Sequence, residues 1–137
     1  MDFEFLDHPA DIGFRARGST LEHLFENCAH ALLAIILDPA EIRGSELVTL
    51  TAEGSDRESL LVNWLNEVLY YVDTRRFAFG SFAVEFPSPE QVKAIARYEA
   101  RDPLRHPVRL SVKAVTYHQL RVSTVEDGWV AEVYVDV

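Results

Sequence analysis

Two short stretches carry the carboxylates best placed for chemistry. The first is His8-Pro9-Ala10-Asp11-Ile12-Gly13. A turn centred on Pro9 leads into a strand, so the Asp11 carboxylate is expected at a sheet edge or tip. The same residue also suits an Asx-type turn in which it caps local amides. The second is the ending Val133-Tyr134-Val135-Asp136-Val137. Strand alternation puts Trp129, Ala131, Val133, Val135 and Val137 on one face and Glu132, Tyr134 and Asp136 on the other. The sequence stops one residue after Asp136, so the Asp136 side chain and the Val137 carboxylate are expected close together, with no tail. Like charges at that range repel unless a cation intervenes. Asp11 as a third donor would complete an all-oxygen site for a hard divalent cation, Ca²⁺ or Mg²⁺. A frayed terminus with a solvated Asp136 is the plainer alternative. Spacing alone does not bring Asp11 to Asp136.

Other chemistry is sparse. His106, in Asp102-Pro103-Leu104-Arg105-His106, and His118, after Thr116-Tyr117, have the side chain of a general acid–base, although a lone histidine is more often a hydrogen-bonded structural residue. Arg97, Arg101, Arg105, Arg109 and Lys113 form a spaced basic series suited to phosphate, to an acidic partner or simply to a solvated sheet face. There is no G-x-S-x-G, Walker loop, G-x-G-x-x-G or H-E-x-x-H. One cysteine, Cys28, cannot form an internal disulfide, and a thiolate zinc site would need three ligands of other types, unlike the usual structural zinc sites.

The elements that must position these residues follow from periodicity. Phe3 and Phe5, then Ile12, Phe14 and Ala16, alternate as two strands. An S-x-x-E box from Ser19 to Glu22 opens a helix with the stripe Leu21, Leu24, Phe25, Cys28, Leu32 and Leu33, bounded by Pro39. Cys28 reads as a small packing residue. Leu47 to Thr51 is a strand, and Ser55 with Glu58 opens a second helix striped by Leu60, Leu61, Trp64, Leu65, Val68, Leu69 and Val72. Strands are expected over 77–86, 91–98, 108–116, 118–125 and 129–137, the last two joined by an Asp127-Gly128 hairpin. Helices followed by a run of strands give an α+β fold with a mostly antiparallel sheet and two amphipathic helices packed on it, in one domain over 1–137. No repeat at solenoid periods and no low-complexity tract is present.

The 137 residues are 48% hydrophobic and 26% charged, the composition of a soluble globular domain. The opening alternates apolar and acidic residues, unlike a signal peptide, and no apolar run approaches a membrane span, so a cytoplasmic protein is expected. Formal charge is −9, carried by residues 1–70 with 4 Lys/Arg against 13 Asp/Glu. Such a surface disfavours autonomous nucleic-acid binding and suits a metal, a basic partner or plain solubility.

Together, residues 5–13, 60–67, 102–106 and 112–118 and the ending Tyr134-Val135-Asp136-Val137 resemble the archease family over nearly the whole chain. Pro9 departs from the pattern, which often has Thr after the His. The resemblance implies a compact α+β domain that is not itself an enzyme. It implies an accessory factor for the GTP-dependent RNA-splicing ligase of tRNA processing, promoting ligase guanylylation and repeated turnover. It also implies a divalent-metal site at Asp11, Asp136 and the Val137 carboxylate, with Ca²⁺ the expected ion. His8, Arg105, His106, Lys113 and His118 are then candidates for partner contact or for supporting the site. Three other readings stand beside this one: a chaperone-like modulator of another tRNA-processing enzyme such as a tRNA methyltransferase, a small metal-dependent hydrolase using His8, Asp11 and Asp136, and a structural or scaffold protein whose carboxylates are incidental.

Overall fold

A computed structural model describes residues 2–8, 11–38, 42, 44 and 46–137, without the side chains of Asp7, His8 and Asp11. Along the chain run β1 (Phe3–His8), β2 (Asp11–Gly18), α1 (Leu21–Ile36), β3 (Glu46–Glu53), α2 (Arg57–Asp73), β4 (Phe77–Ser88), β5 (Gln91–Ala100), β6 (Ala114–Val125) and β7 (Gly128–Asp136). This is the expected α+β order, and every strand pair is antiparallel. The strands form two sheets, ordered β1-β2-β7-β6 and β3-β5-β4. Each helix packs on strands of both, α1 on β2 and β4, α2 on β3 and β6.

The helical stripes fill the core between them. Leu24, Phe25, Cys28, Leu32, Leu61, Trp64, Leu65, Val68 and Val72 are fully buried. Burial of each large aliphatic side chain contributes roughly 1.5–3 kcal/mol. Trp64 keeps its indole N–H satisfied by donating to the Phe25 carbonyl at 3.0 Å. Cys28 is wholly enclosed, and burial pushes its thiol pKa up, consistent with packing and not reactivity. Among the described residues no helix is long and apolar enough to cross a membrane.

Three local expectations are corrected. The helix caps lie one residue later than the S-x-x-E spacing suggests. Thr20 accepts from the His23 amide, and Asp56 forms a reciprocal box with Ser59. Ser19 instead bonds the His23 ring at 2.9 Å. Residues 108–113 are not a strand: Val108 makes a single bridge to Leu37, and β6 begins at Ala114. Finally, the break expected near Tyr117 is a bulge within β6, where the register shifts between Thr116 and Arg121 and Gln119 takes φ +53°.

The structure also reveals an internal likeness. β2-α1 and β3-α2 share their connection. Gly18 and Gly54 each lie so close to a helix that a β-carbon would collide with the backbone of Leu24 or Leu60. Asn27 then donates to the Arg17 carbonyl, and Asn63 to the Glu53 carbonyl, both at 2.7 Å. Each first strand pairs with the last strand of its unit, giving β2-β7-β6 and β3-β5-β4. One β-α-β-β unit, β3 to β5, is thus inserted within another, β2-α1 with β6-β7.

Candidate metal centre

The outer unit determines where the two aspartates lie. Asp11 is the first residue of β2 and Asp136 the last of β7. The strands pair through Ile12↔Val135 and Gly13↔Tyr134, so the two aspartates occupy neighbouring strand ends, one step beyond the Ile12–Val135 pair. On the other side of β7, Asp136 pairs with Ala114, and its carbonyl accepts the Lys113 amide at 2.7 Å. His8 pairs with Asp11 across the β1–β2 turn. Pro9 and Ala10 lie outside the described residues, as do the side chains of His8 and Asp11.

Alternation within β7 is as expected: Val133 and Val135 are buried and Asp136 is exposed. Val137 is 46% exposed. Among the described residues no Lys or Arg side chain pairs with Asp136. Four residues back on the same face, by contrast, Glu132 is bonded by Arg15 at 2.6 Å, and Arg15 also bonds Glu4 at 2.6 Å. Those bonds, to Glu132 first and then Glu4, raise the Arg15 pKa. The row beside the strand ends is therefore charge-compensated, while Asp136 is open to an external cation. Its donors are hard oxygens, the type that Ca²⁺ and Mg²⁺ take. No three described His, Cys, Asp or Glu side chains converge, so such a centre depends on Asp11.

Several residues hold this end in shape. Gly13 leaves room for the Tyr134 ring, whose Cδ1 would lie 2.6 Å from an added β-carbon. The ring of His118 meets Tyr134 edge-on at 6.4 Å. Thr116 Oγ1 donates to the Tyr134 carbonyl at 3.3 Å. Asn66 on α2 uses its whole carboxamide on β6, accepting from the Val115 amide at 2.9 Å and donating to the Val115 carbonyl at 3.2 Å. It occupies the place of a further strand beside Val115, whose partner Val135 immediately precedes Asp136. Sequence reasoning missed Asn66. The interrupting glycine in β2 was the available signal for the Tyr134 contact, since glycine in a strand often marks a close approach.

Four members of the basic series are engaged within the chain. Arg97 donates to the Ile42 and Gly44 carbonyls at 3.0 Å each. Arg101 donates to the Val72 carbonyl at the end of α2, Arg105 pairs with Glu99 at 3.0 Å, and Arg109 pairs with Asp38 at 3.3 Å. They act as clamps between elements. Lys113 is exposed. His106 is buried and hydrogen-bonded: it is 2% exposed, its Nδ1 accepts from the Asp102 amide at 2.8 Å, and its Nε2 faces Glu99 at 3.2 Å.

Residues 3–137 match the Archease protein family. The chain is 40% identical to a protein archease of Methanosarcina acetivorans, covering 98% of this chain and 95% of that protein. It is 39% identical to a protein archease of Archaeoglobus fulgidus over 100% of both. It is also similar to the solution structure of Methanobacterium thermoautotrophicum protein 1598, at 33% identity and TM-score 0.73 over 99% of each chain.

Proposed function

We propose, from the premise that this chain belongs to the archease family, that it is an accessory activator of a GTP-dependent RNA-splicing ligase and acts through the acidic end formed by β2 and β7. The observation that carries this reading is the adjacency of the first residue of β2, Asp11, and the last of β7, Asp136. Asp11, Asp136 and the Val137 carboxylate would hold a divalent cation, Ca²⁺ first among candidates. Bound there, such an ion supplies charge neutralisation at phosphate oxygens. The chain's own contribution is positional. Two paired strands hold the backbone at Asp11 and Asp136, so little main-chain entropy is left to lose on binding. The excess of acidic residues in the first half favours encounter with a basic, RNA-binding surface. On this reading the protein turns over no substrate of its own, and its place is the cytoplasm.

The test is ligase turnover with and without this protein, repeated with Asp11→Ala. Wild-type protein should raise turnover, and Asp11→Ala should fold normally and leave the ligase at its basal rate. Stimulation by Asp11→Ala equal to wild type would sink the mechanism.

A further inference from the structure

We propose that the turn Asp102–His106 is a docking element that inserts Leu104 into an apolar, carboxylate-rimmed pocket of the ligase; this rests on the activator reading above. Leu104 is 92% exposed, more than any other large apolar side chain described. A single exposed leucine is ordinary. What distinguishes Leu104 is the bracing behind it. Asp102 Oδ1 accepts from the Leu104 amide at 2.9 Å. The Asp102 carbonyl accepts from the Arg105 and His106 amides at 3.1 and 2.6 Å. The Asp102 amide donates to His106 Nδ1, which fixes the imidazole hydrogen on Nε2, where it points to Glu99 Oε1. Arg105 bonds the other Glu99 oxygen. At the entry to the turn, the Arg101 amide donates to the Arg76 carbonyl at 2.7 Å and its guanidinium to Val72. A buried histidine and a mostly buried carboxylate thus fix the shape of a turn whose apex is aliphatic and in water. Such a turn has already lost the freedom that docking would otherwise remove.

The surroundings specify the partner's chemistry. Arg75 and Arg76 are exposed beside Arg101, and Arg76 holds φ +60°, a strained value for a residue with a β-carbon. In a chain of net charge −9, this local gathering of arginines calls for carboxylates around the receiving pocket. The turn also lies towards the acidic end. The Pro107 carbonyl and the Arg109 amide bond residues 38 and 36 at the end of α1, the helix that runs back from Gly18 along β2. Lys113, whose amide donates to the Asp136 carbonyl, lies seven steps along the chain from His106, a reach of at most roughly 25 Å. One interface of about 800 Å² per partner spans both.

Leu104→Asp and Leu104→Met titrated into purified ligase by calorimetry test the proposal, with thermal unfolding in parallel. Leu104→Asp should weaken binding tenfold or more at an unchanged unfolding midpoint, while Leu104→Met stays within about twofold of wild type. Wild-type affinity in Leu104→Asp, or an equal loss in Leu104→Met, overturns the docking role and leaves the activator reading standing. A wild-type protein that neither binds nor stimulates the ligase overturns both.

Discussion

The two nested units share a scaffold and diverge at one end. Ile12↔Val135 in the outer unit corresponds to Val48↔Ala96 in the inner one, so Asp11 and Asp136 correspond to Leu47 and Arg97, which face each other across β3 and β5. Where the outer unit brings acidic residues to neighbouring strand ends, the inner unit places a leucine that is 66% exposed and an arginine. That arginine is engaged internally, holding the Ile42 and Gly44 carbonyls of the α1–β3 connection. The helices differ in the same way. Asn66 of α2 bonds both backbone groups of Val115, whereas the corresponding His30 of α1 rests edge-on against Phe82 of β4 at 5.3 Å. One arrangement therefore serves two ends: the inner one closed by its own arginine, the outer one carrying Asp136 with no Lys or Arg partner among the described residues.

The largest contrast should come from the corresponding pair Asp136 and Arg97. Asp136→Ala should abolish calcium-dependent stabilisation and ligase stimulation while changing urea stability by less than about 0.5 kcal/mol. Arg97→Ala should do the reverse, costing about 2–3 kcal/mol because two carbonyls lose a charged donor, with calcium binding retained. Equal urea midpoints for the two variants would erase the distinction between a receiving end and a closed one.

A smaller effect separates two asparagines on α2. Asn66→Ala should cost about 1–2 kcal/mol and lower calcium affinity, because Val115 and the strand end beyond it lose their outer support. Asn63→Ala removes a similar bond to Glu53 and should leave calcium affinity unchanged. Calorimetric titration of both variants decides whether Asn66 positions the acidic end.

The smallest effect concerns His30. Burial lowers its pKa, a shift that the nearby Glu26 opposes. The folded form therefore binds fewer protons than the unfolded chain below about pH 6.5. The stability it contributes is complete above that value and is lost as pH falls towards the lowered folded pKa. Urea midpoints should drop slightly over that window, and His30→Leu should flatten the drop.

Much of this was legible in the residues. Helical stripes fixed both helices and the buried places of Cys28 and Trp64, because a 3.6-residue period over four turns has few other interpretations. Alternation in β7 placed Asp136 outward. The nesting was not legible, because the repeat survives as scattered identities at matching spacing, Gly-Ser-x-x-Glu, two leucines and an asparagine after Gly18 and Gly54, while the strands share little more than alternation. Without it, nothing in the spacing made β2 and β7 neighbours. The β6 bulge and the loss of strand over 108–113 were hidden too, since those residues carry β-forming side chains that packing directs elsewhere.

Insertion of one unit within another has a consequence for how the protein is made. The inner unit is continuous in sequence and can close once β5 has left the ribosome. The outer unit waits for β7, which must find β2 across most of the chain, a long-range pairing that forms slowly. The two aspartates become neighbours only when β7 pairs with β2, so on the proposed reading competence to bind an ion reports that this pairing has formed. Pulse-labelled hydrogen exchange should show the Leu50 and Ala94 amides protected before those of Phe14 and Val133; the opposite order would mean that the outer sheet nucleates the fold.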